Sequence, residues 1–279
     1  MLRTRVATAL LLLAGFLAAL FLLPFAGWLL LVSAVCGLGA WEWGGLLKLG
    51  AGVRRGYALL LLVLCAVLGW LAFDFDSGST RQPDLLLAAH LLSGAFWLLI
   101  VPLWLKTKWP IQADPAGLLS GAVVLLPACL AMMQLRSFAP LLLLAIMAAV
   151  WAADIAAYAC GRAFGRRKLA PSVSPGKTWE GVAGALTGVL LYGLVLAAAA
   201  DRVPGGWGAW LSILLASVLL TGVSILGDLF ESLAKRQACV KDSGAALPGH
   251  GGMLDRIDSL TSTLPLAGLA LLLWEGRMS

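Results

Sequence analysis

Phe138-Ala-Pro-Leu-Leu-Leu-Leu-Ala-Ile-Met-Ala-Ala-Val-Trp-Ala-Ala-Asp154-Ile-Ala-Ala-Tyr158-Ala159 contains one charged side chain, Asp154, in a run otherwise suited to hydrocarbon. About 20 apolar residues in a helix cross a hydrocarbon core of about 30 Å, so this run reads as a membrane span. It also keeps a carboxylate where a charge costs at least about 2.5–3.5 kcal/mol. Outward from it, eight more apolar runs occupy about 7–23, 27–47, 57–73, 84–105, 116–135, 179–200, 207–231 and 259–276. Only Pro24 separates the first two, which read equally as a hairpin or as one kinked segment. The whole chain is 61% hydrophobic and 12% charged, against about 45–50% and about 25% in soluble domains. That balance excludes a water-soluble fold, disorder and a disulfide scaffold. Continuous apolar runs, with no alternation, exclude a β-barrel. The expected fold is all-α: a polytopic integral membrane protein of about nine transmembrane helices. Residues 1–279 form one membrane domain, with N-terminal helices over 1–149 and the polar chemistry over 150–279.

The formal charge of +6 suggests nucleic acid in a soluble protein, but in a membrane protein it is first a matter of topology. With a cytoplasmic N-terminus and nine spans, the cytoplasmic side collects Arg3, Arg5, Lys48, Arg54, Arg55, Lys106, Lys108, Arg162, Arg166, Arg167, Lys168, Lys177, Lys235, Arg236, Lys241 and Arg256. Of the 20 basic residues, only Arg81, Arg136, Arg202 and Arg277 fall on the other side, beside the acidic Asp74, Asp76 and Asp84. This places the protein in the cytoplasmic (inner) membrane with its polar loops facing the cytoplasm, and no nucleic-acid partner is expected. Met1-Leu-Arg-Thr-Arg5 before a Leu-rich run is signal-like, but the apolar run continues without a convincing processing site, so no cleavage is expected. Cys36, Cys65, Cys129, Cys160 and Cys239 show no CxxC or zinc spacing and read as buried small hydrophobes.

Carboxylates inside spans are functional candidates by default. On a helix, Asp154, Tyr158, Gly161, Arg162 and Gly165 share one face, with the glycines allowing close approach of a neighbouring helix or a phosphate. Ser224, Asp228, Glu231, Ser232 and Lys235 share another, a polar stripe like the wall of a wet cavity. Glu42, in Trp-Glu-Trp, reads as an interfacial carboxylate between belt tryptophans. The loop Lys241-Asp242-Ser-Gly-Ala-Ala-Leu-Pro-Gly249-His250-Gly251-Gly252 can turn backbone N–H groups toward an anion, with His250 a phosphate contact more than a metal ligand. Asp255 and Asp258 share a face if a helix begins there, and such carboxylates suit hard cations. Ser174-Pro-Gly-Lys177-Thr178-Trp-Glu-Gly181 lacks the glycine spacing and preceding strand of a P-loop. Ser174 or Thr178 instead caps the next helix, setting Lys177 beside an anion-binding N-terminus. His90 shows no partner. These features together suggest a cation–polyphosphate site at the cytoplasmic surface.

The segment Ser232-x-x-Lys-Arg236 through Asp255-Arg-x-Asp258 closely resembles the signature of the phosphatidate cytidylyltransferase (CDP-diacylglycerol synthase) family. Asp154-x-x-Ala-Tyr-x-x-Gly-Arg-x-x-Gly165 and Ser174-Pro-Gly-Lys-Thr-Trp-Glu-Gly181 resemble it too, so the likeness covers roughly 150–279. It implies transfer of CMP from CTP to phosphatidic acid in the bilayer, giving CDP-diacylglycerol and pyrophosphate in phospholipid biosynthesis. It also implies a homodimer, Mg²⁺, and a second cation such as K⁺. Under this resemblance Asp228 and Asp255 hold the divalent metal, with Asp258 either supporting them from behind or ligating another cation. Asp228, Asp255, Lys235 and Arg236 are the catalytic set. Ser224, Ser232, Lys241, Asp242, Gly249, His250, Gly251, Gly252, Arg256, Lys177, Asp154, Tyr158 and Arg162 bind substrate. The alternatives are a related CTP-dependent transferase acting on an ether-lipid phosphate or polyprenol, and, further off, a secondary transporter, which predicts repeated halves with broken helices.

Overall fold

The computed structural model describes residues 2–199, 206–246 and 251–276, the side chains of 2–10 and 12 excepted. Helices account for most of it: α1 (Leu2–Leu22), α2 (Phe25–Leu46), α3 (Ala51–Ala72), α4 (Pro83–Ala95), α5 (Val101–Thr107), α6 (Pro115–Phe138), α7 (Pro140–Phe164), α8 (Trp179–Ala199), α9 (Trp207–Ala238) and α10 (Leu254–Glu275). A π-helical turn, Phe96–Ile100, joins α4 and α5 into one rod. Eight helices among the described residues are long and apolar enough to cross a membrane, and α1 adds the apolar stretch Leu13–Leu22. The chain is a multi-pass membrane protein.

Prolines set several boundaries. Pro24 sits in extended backbone and separates α1 from α2, deciding for two helices over one kinked segment. Pro83, Pro115 and Pro140 each occupy a first helical turn, where the missing N–H is no loss. Asp114 caps α6 by accepting from the Gly117 N–H at 2.7 Å.

The site-bearing helices overrun the apolar limits expected for them. The run 207–231 continues as helix to Ala238, and α10 starts at Leu254, not 259. Apolar runs mark where hydrocarbon lies. A helix continues past them when its polar groups find partners, as those of Glu231, Lys235 and Asp255 do here.

An aromatic cluster around Phe230 ties the two halves of the chain together. Trp43 of α2 stacks on it at 5.9 Å, and Phe96, Trp97 and Trp104 meet it edge-on at 5.4–5.7 Å. Helices α7 and α8 pack through small residues: Gly181 meets Gly161, and at Gly184 a Cβ would collide with Cys160. The close approach expected of Gly161 is therefore to a helix. Gly165 lies beyond the end of α7, not on its polar face, because the chain leaves the helix at Phe164.

Between α7 and α8 the chain forms a hairpin of β1 (Lys168–Ala170) and β2 (Ser174–Thr178), where the sequence suggests only a loop. Glu180 anchors it by accepting from the Arg166 and Arg167 N–H groups at 3.1 and 3.2 Å.

The cysteine expectation holds for three residues. Cys36, Cys65 and Cys129 are buried, with their sulfurs within 4.8 Å of one another. Cys160 is only half-buried, and Cys239, in left-handed conformation at the end of α9, is exposed. His90, without a visible partner in the sequence, meets Gln134 Oε1 at 2.8 Å inside the bundle.

Candidate active site

A cavity of about 410 Å³ opens between α7, the hairpin, α8 and α9. Asp154, Tyr158, Gly161 and Arg162 line it from α7, Lys177 from β2, and Ser224 and Asp228 from α9. Both polar faces read from the sequence thus contribute to one hollow. Arg162 donates to the Tyr158 hydroxyl at 3.1 Å, and both side chains are exposed at the mouth.

Thr178 caps α8, its Oγ1 accepting from the Gly181 N–H at 3.1 Å. This leaves Lys177 one residue earlier, with its ammonium over the cavity. It binds Asp228 Oδ2 at 2.6 Å. The other oxygen of Asp228 accepts from Ser232 Oγ, one helical turn on, at 3.2 Å. Thr221, which lines the same wall, has a buried hydroxyl without a partner among the described residues. Its position one turn before Ser224 was the only sequence signal for it.

A second constellation lies along α9 from Asp228. Lys235 Nζ binds Asp255 Oδ1 at 2.6 Å and Glu231 Oε2 at 3.2 Å. Asp255 Oδ2 accepts from the backbone N–H groups of Ser243 and Gly252 and from Ser243 Oγ, at 2.8–3.1 Å. Both of its oxygens are therefore occupied. Asp258 stands where the charges of Asp228 and Asp154 reach it. Glu231 Oε1 is buried with no donor among the described residues, and the Asp258 carboxyl is near enough to act on that of Glu231. A buried carboxylate oxygen without a donor, near a second carboxyl, suits a shared proton or a cation.

The expected interfacial role of Glu42 is overturned. It is buried, at 1% exposure, because the start of α10 folds over it. Its Oε1 accepts from the Met253 N–H at 2.9 Å, and its Oε2 from the Leu254 N–H at 2.8 Å and from Ser243 Oγ at 2.9 Å. No spacing within the sequence could link residue 42 to residues 243–254.

The remaining expected residues lie around these two centres. Arg236 is exposed and its Nε reaches the Val173 carbonyl at 3.4 Å, tying α9 to the hairpin turn. Lys241 and Asp242 are exposed on the loop after α9, and Arg256 is exposed in the first turn of α10. Gly251 takes φ +84°, a conformation that favours glycine, and at Gly252 a Cβ would collide with Ser243 Oγ. Gly249 and His250 fall outside the described residues.

A profile of the cytidylyltransferase family matches residues 3–274. The chain is 44% identical to a phosphatidate cytidylyltransferase of Pseudomonas aeruginosa, across 98% of this chain and 97% of that protein. It is 37% identical to one from Haemophilus influenzae, across 95% and 96%, and 50% identical over 43% of each chain to one from Brucella suis. With a match running through almost every residue from α1 to α10, this chain belongs to the cytidylyltransferase family.

Proposed function

We propose that the chain is a phosphatidate cytidylyltransferase, making CDP-diacylglycerol and pyrophosphate from CTP and phosphatidic acid. The observation carrying this reading is the near-full-length likeness to two phosphatidate cytidylyltransferases. The cavity adds chemical support: Arg162 and Lys177 stand beside carboxylates in a hollow between membrane helices.

A phosphate oxygen of the lipid attacks the α-phosphorus of CTP, and the bond from that phosphorus to the pyrophosphate oxygen breaks. The lipid phosphate is already anionic, so no general base is needed; alignment and charge neutralisation lower the barrier. Lys177 and Arg162 neutralise phosphate charge from one wall of the cavity. Ser224 and Ser232 offer hydroxyl donors from α9, and Lys235 and Arg236 supply charge near its end. The exposed Lys241 and Arg256 attract the anionic substrates, with Gly251 and Gly252 letting backbone approach a phosphate.

The carboxylates fit a divalent cation, since Glu231 Oε1 is buried without a donor and the donor set is all oxygen, as Mg²⁺ prefers. Asp228 and Asp258 would hold it. Asp255, with both oxygens occupied, would join by releasing one of its present partners. When bound, Mg²⁺ offsets charge on the triphosphate and on the departing pyrophosphate. A second cation such as K⁺ beside it is part of the proposal, as the family resemblance implies. The proposal includes a homodimer in the inner membrane with the site facing the cytoplasm, supported by the family resemblance and by the bias of basic loops.

Purified protein, mixed micelles of phosphatidic acid, labelled CTP and Mg²⁺ test the reaction. Labelled CDP-diacylglycerol with equimolar pyrophosphate is expected. Product from an ether-lipid phosphate but none from phosphatidic acid would overturn the assignment.

A further inference from the structure

Among the described residues, Glu42 is the one carboxylate from the first half of the chain that hydrogen-bonds into the second constellation. A helix leaves its first N–H groups without partners, and a residue at its start usually caps them. Met253 precedes α10 and offers no capping side chain. Glu42 takes that role across more than 200 residues of sequence, accepting from the Met253 and Leu254 N–H groups. A carboxylate at this end also complements the helix dipole.

Its socket is closely shaped. A Cβ at Gly244 would stand 2.6 Å from Oε1, and one at Gly252 would stand 2.6 Å from Oε2. Ser243 Oγ is 2.9 Å from Glu42 Oε2 and 3.1 Å from Asp255 Oδ2. One hydroxyl thus spans two carboxylates with a single proton to donate. Any shift of Glu42 is passed through Ser243 to the oxygen opposite the one that binds Lys235.

We infer that Glu42 is a positioning residue of the transferase site, holding the loop from Ser243 and the start of α10 so that Asp255 presents Oδ1 to Lys235. This rests on the proposed reaction. In Glu42→Gln one carboxylate oxygen becomes an NH₂ group, and in either amide orientation it meets an N–H donor of α10. The variant should lose about 10–100-fold in kcat, as substitutions supporting a metal or phosphate site typically do. It should also need more Mg²⁺ for half-maximal rate, while KM for phosphatidic acid stays within about 2-fold. Glu42→Asp, which keeps the charge, should recover part of the loss.

Hydrogen exchange on substrate-free protein in detergent should show faster exchange at Met253 and Leu254 in Glu42→Gln, with α2 and α6 unchanged. Unchanged exchange overturns the inference. So does a variant whose kcat per folded molecule and Mg²⁺ requirement match the parent, since capping would then serve stability alone. Absence of CMP transfer by the parent protein instead sinks the proposed reaction, and the exchange measurement still reports on Glu42.

Discussion

Helix α9 passes through two settings within two turns. At Asp228 its polar stripe faces an open cavity, and the pair with Lys177 keeps side-chain exposures of 31% and 23%. At Lys235 it faces packed protein, where the ammonium is 14% exposed and its partners Glu231 and Asp255 are 6% and 9%. The open pair joins α9 to a short hairpin and borders the cavity, where the proposed reaction would bring a phosphate to Lys177 and a cation to Asp228. The closed group joins α9 to α10, and through Ser243 to α2, with almost every oxygen already accepting a hydrogen bond. Buried ion pairs cost much to desolvate and are strongly destabilising when half-removed. The same charge chemistry is therefore left accessible on one side and held in fixed geometry on the other.

The largest test of this contrast is Asp255→Asn. The amide keeps the volume but meets Lys235 or the backbone donors with an NH₂ group, and at least about 10³-fold of turnover should be lost. Pyrophosphate release should vanish from protein that still elutes as a folded species in detergent; near-normal turnover would remove Asp255 from the reaction. Lys235→Met comes next. It strands two buried carboxylates, and a loss of about 3–5 kcal/mol of stability is expected, read as a lower thermal midpoint. Lys177→Ala should behave differently. At the open side the thermal midpoint should hardly move, while kcat/KM for CTP falls about 10²-fold. Equal thermal losses in the two lysine variants would break the distinction between an open and a closed side.

Much of the fold was legible because a bilayer asks one question repeatedly. Each run of about 20 apolar residues must be a helix, so the interior of every span could be read without knowing its neighbours. The polar faces were legible for a related reason. Asp154, Tyr158 and Arg162 lie at helical spacing, as do Ser224 and Asp228, and all five stand on the cavity walls; Lys235, on the same stripe, turns to packed protein instead. Helix ends were less so, because α9 extends to Ala238 and α10 begins at Leu254 by virtue of partners far away in sequence. The hairpin carrying Lys177 has no alternating pattern to betray it, being held by Glu180 and the cap at Thr178.

Partner choice was the part that could not be read. Lys235 sits four residues from Glu231 and seven from Asp228 on one face, yet its shortest contact is Asp255, from another helix, while Asp228 goes to Lys177. Glu42 shows the same limit most clearly: Trp-Glu-Trp looks like an interfacial motif, and only the folding of α10 onto α2 makes it a buried cap.

The sequence alone determined that the protein is a helical membrane protein, and which few ionisable groups the membrane retains, because hydrocarbon penalises every charge that has no use. It could also align those groups by face, since helical periodicity is local. Which carboxylate meets which lysine, which is open to a ligand and which is sealed was decided only in three dimensions. Those pairings depend on helices brought together from opposite ends of the chain.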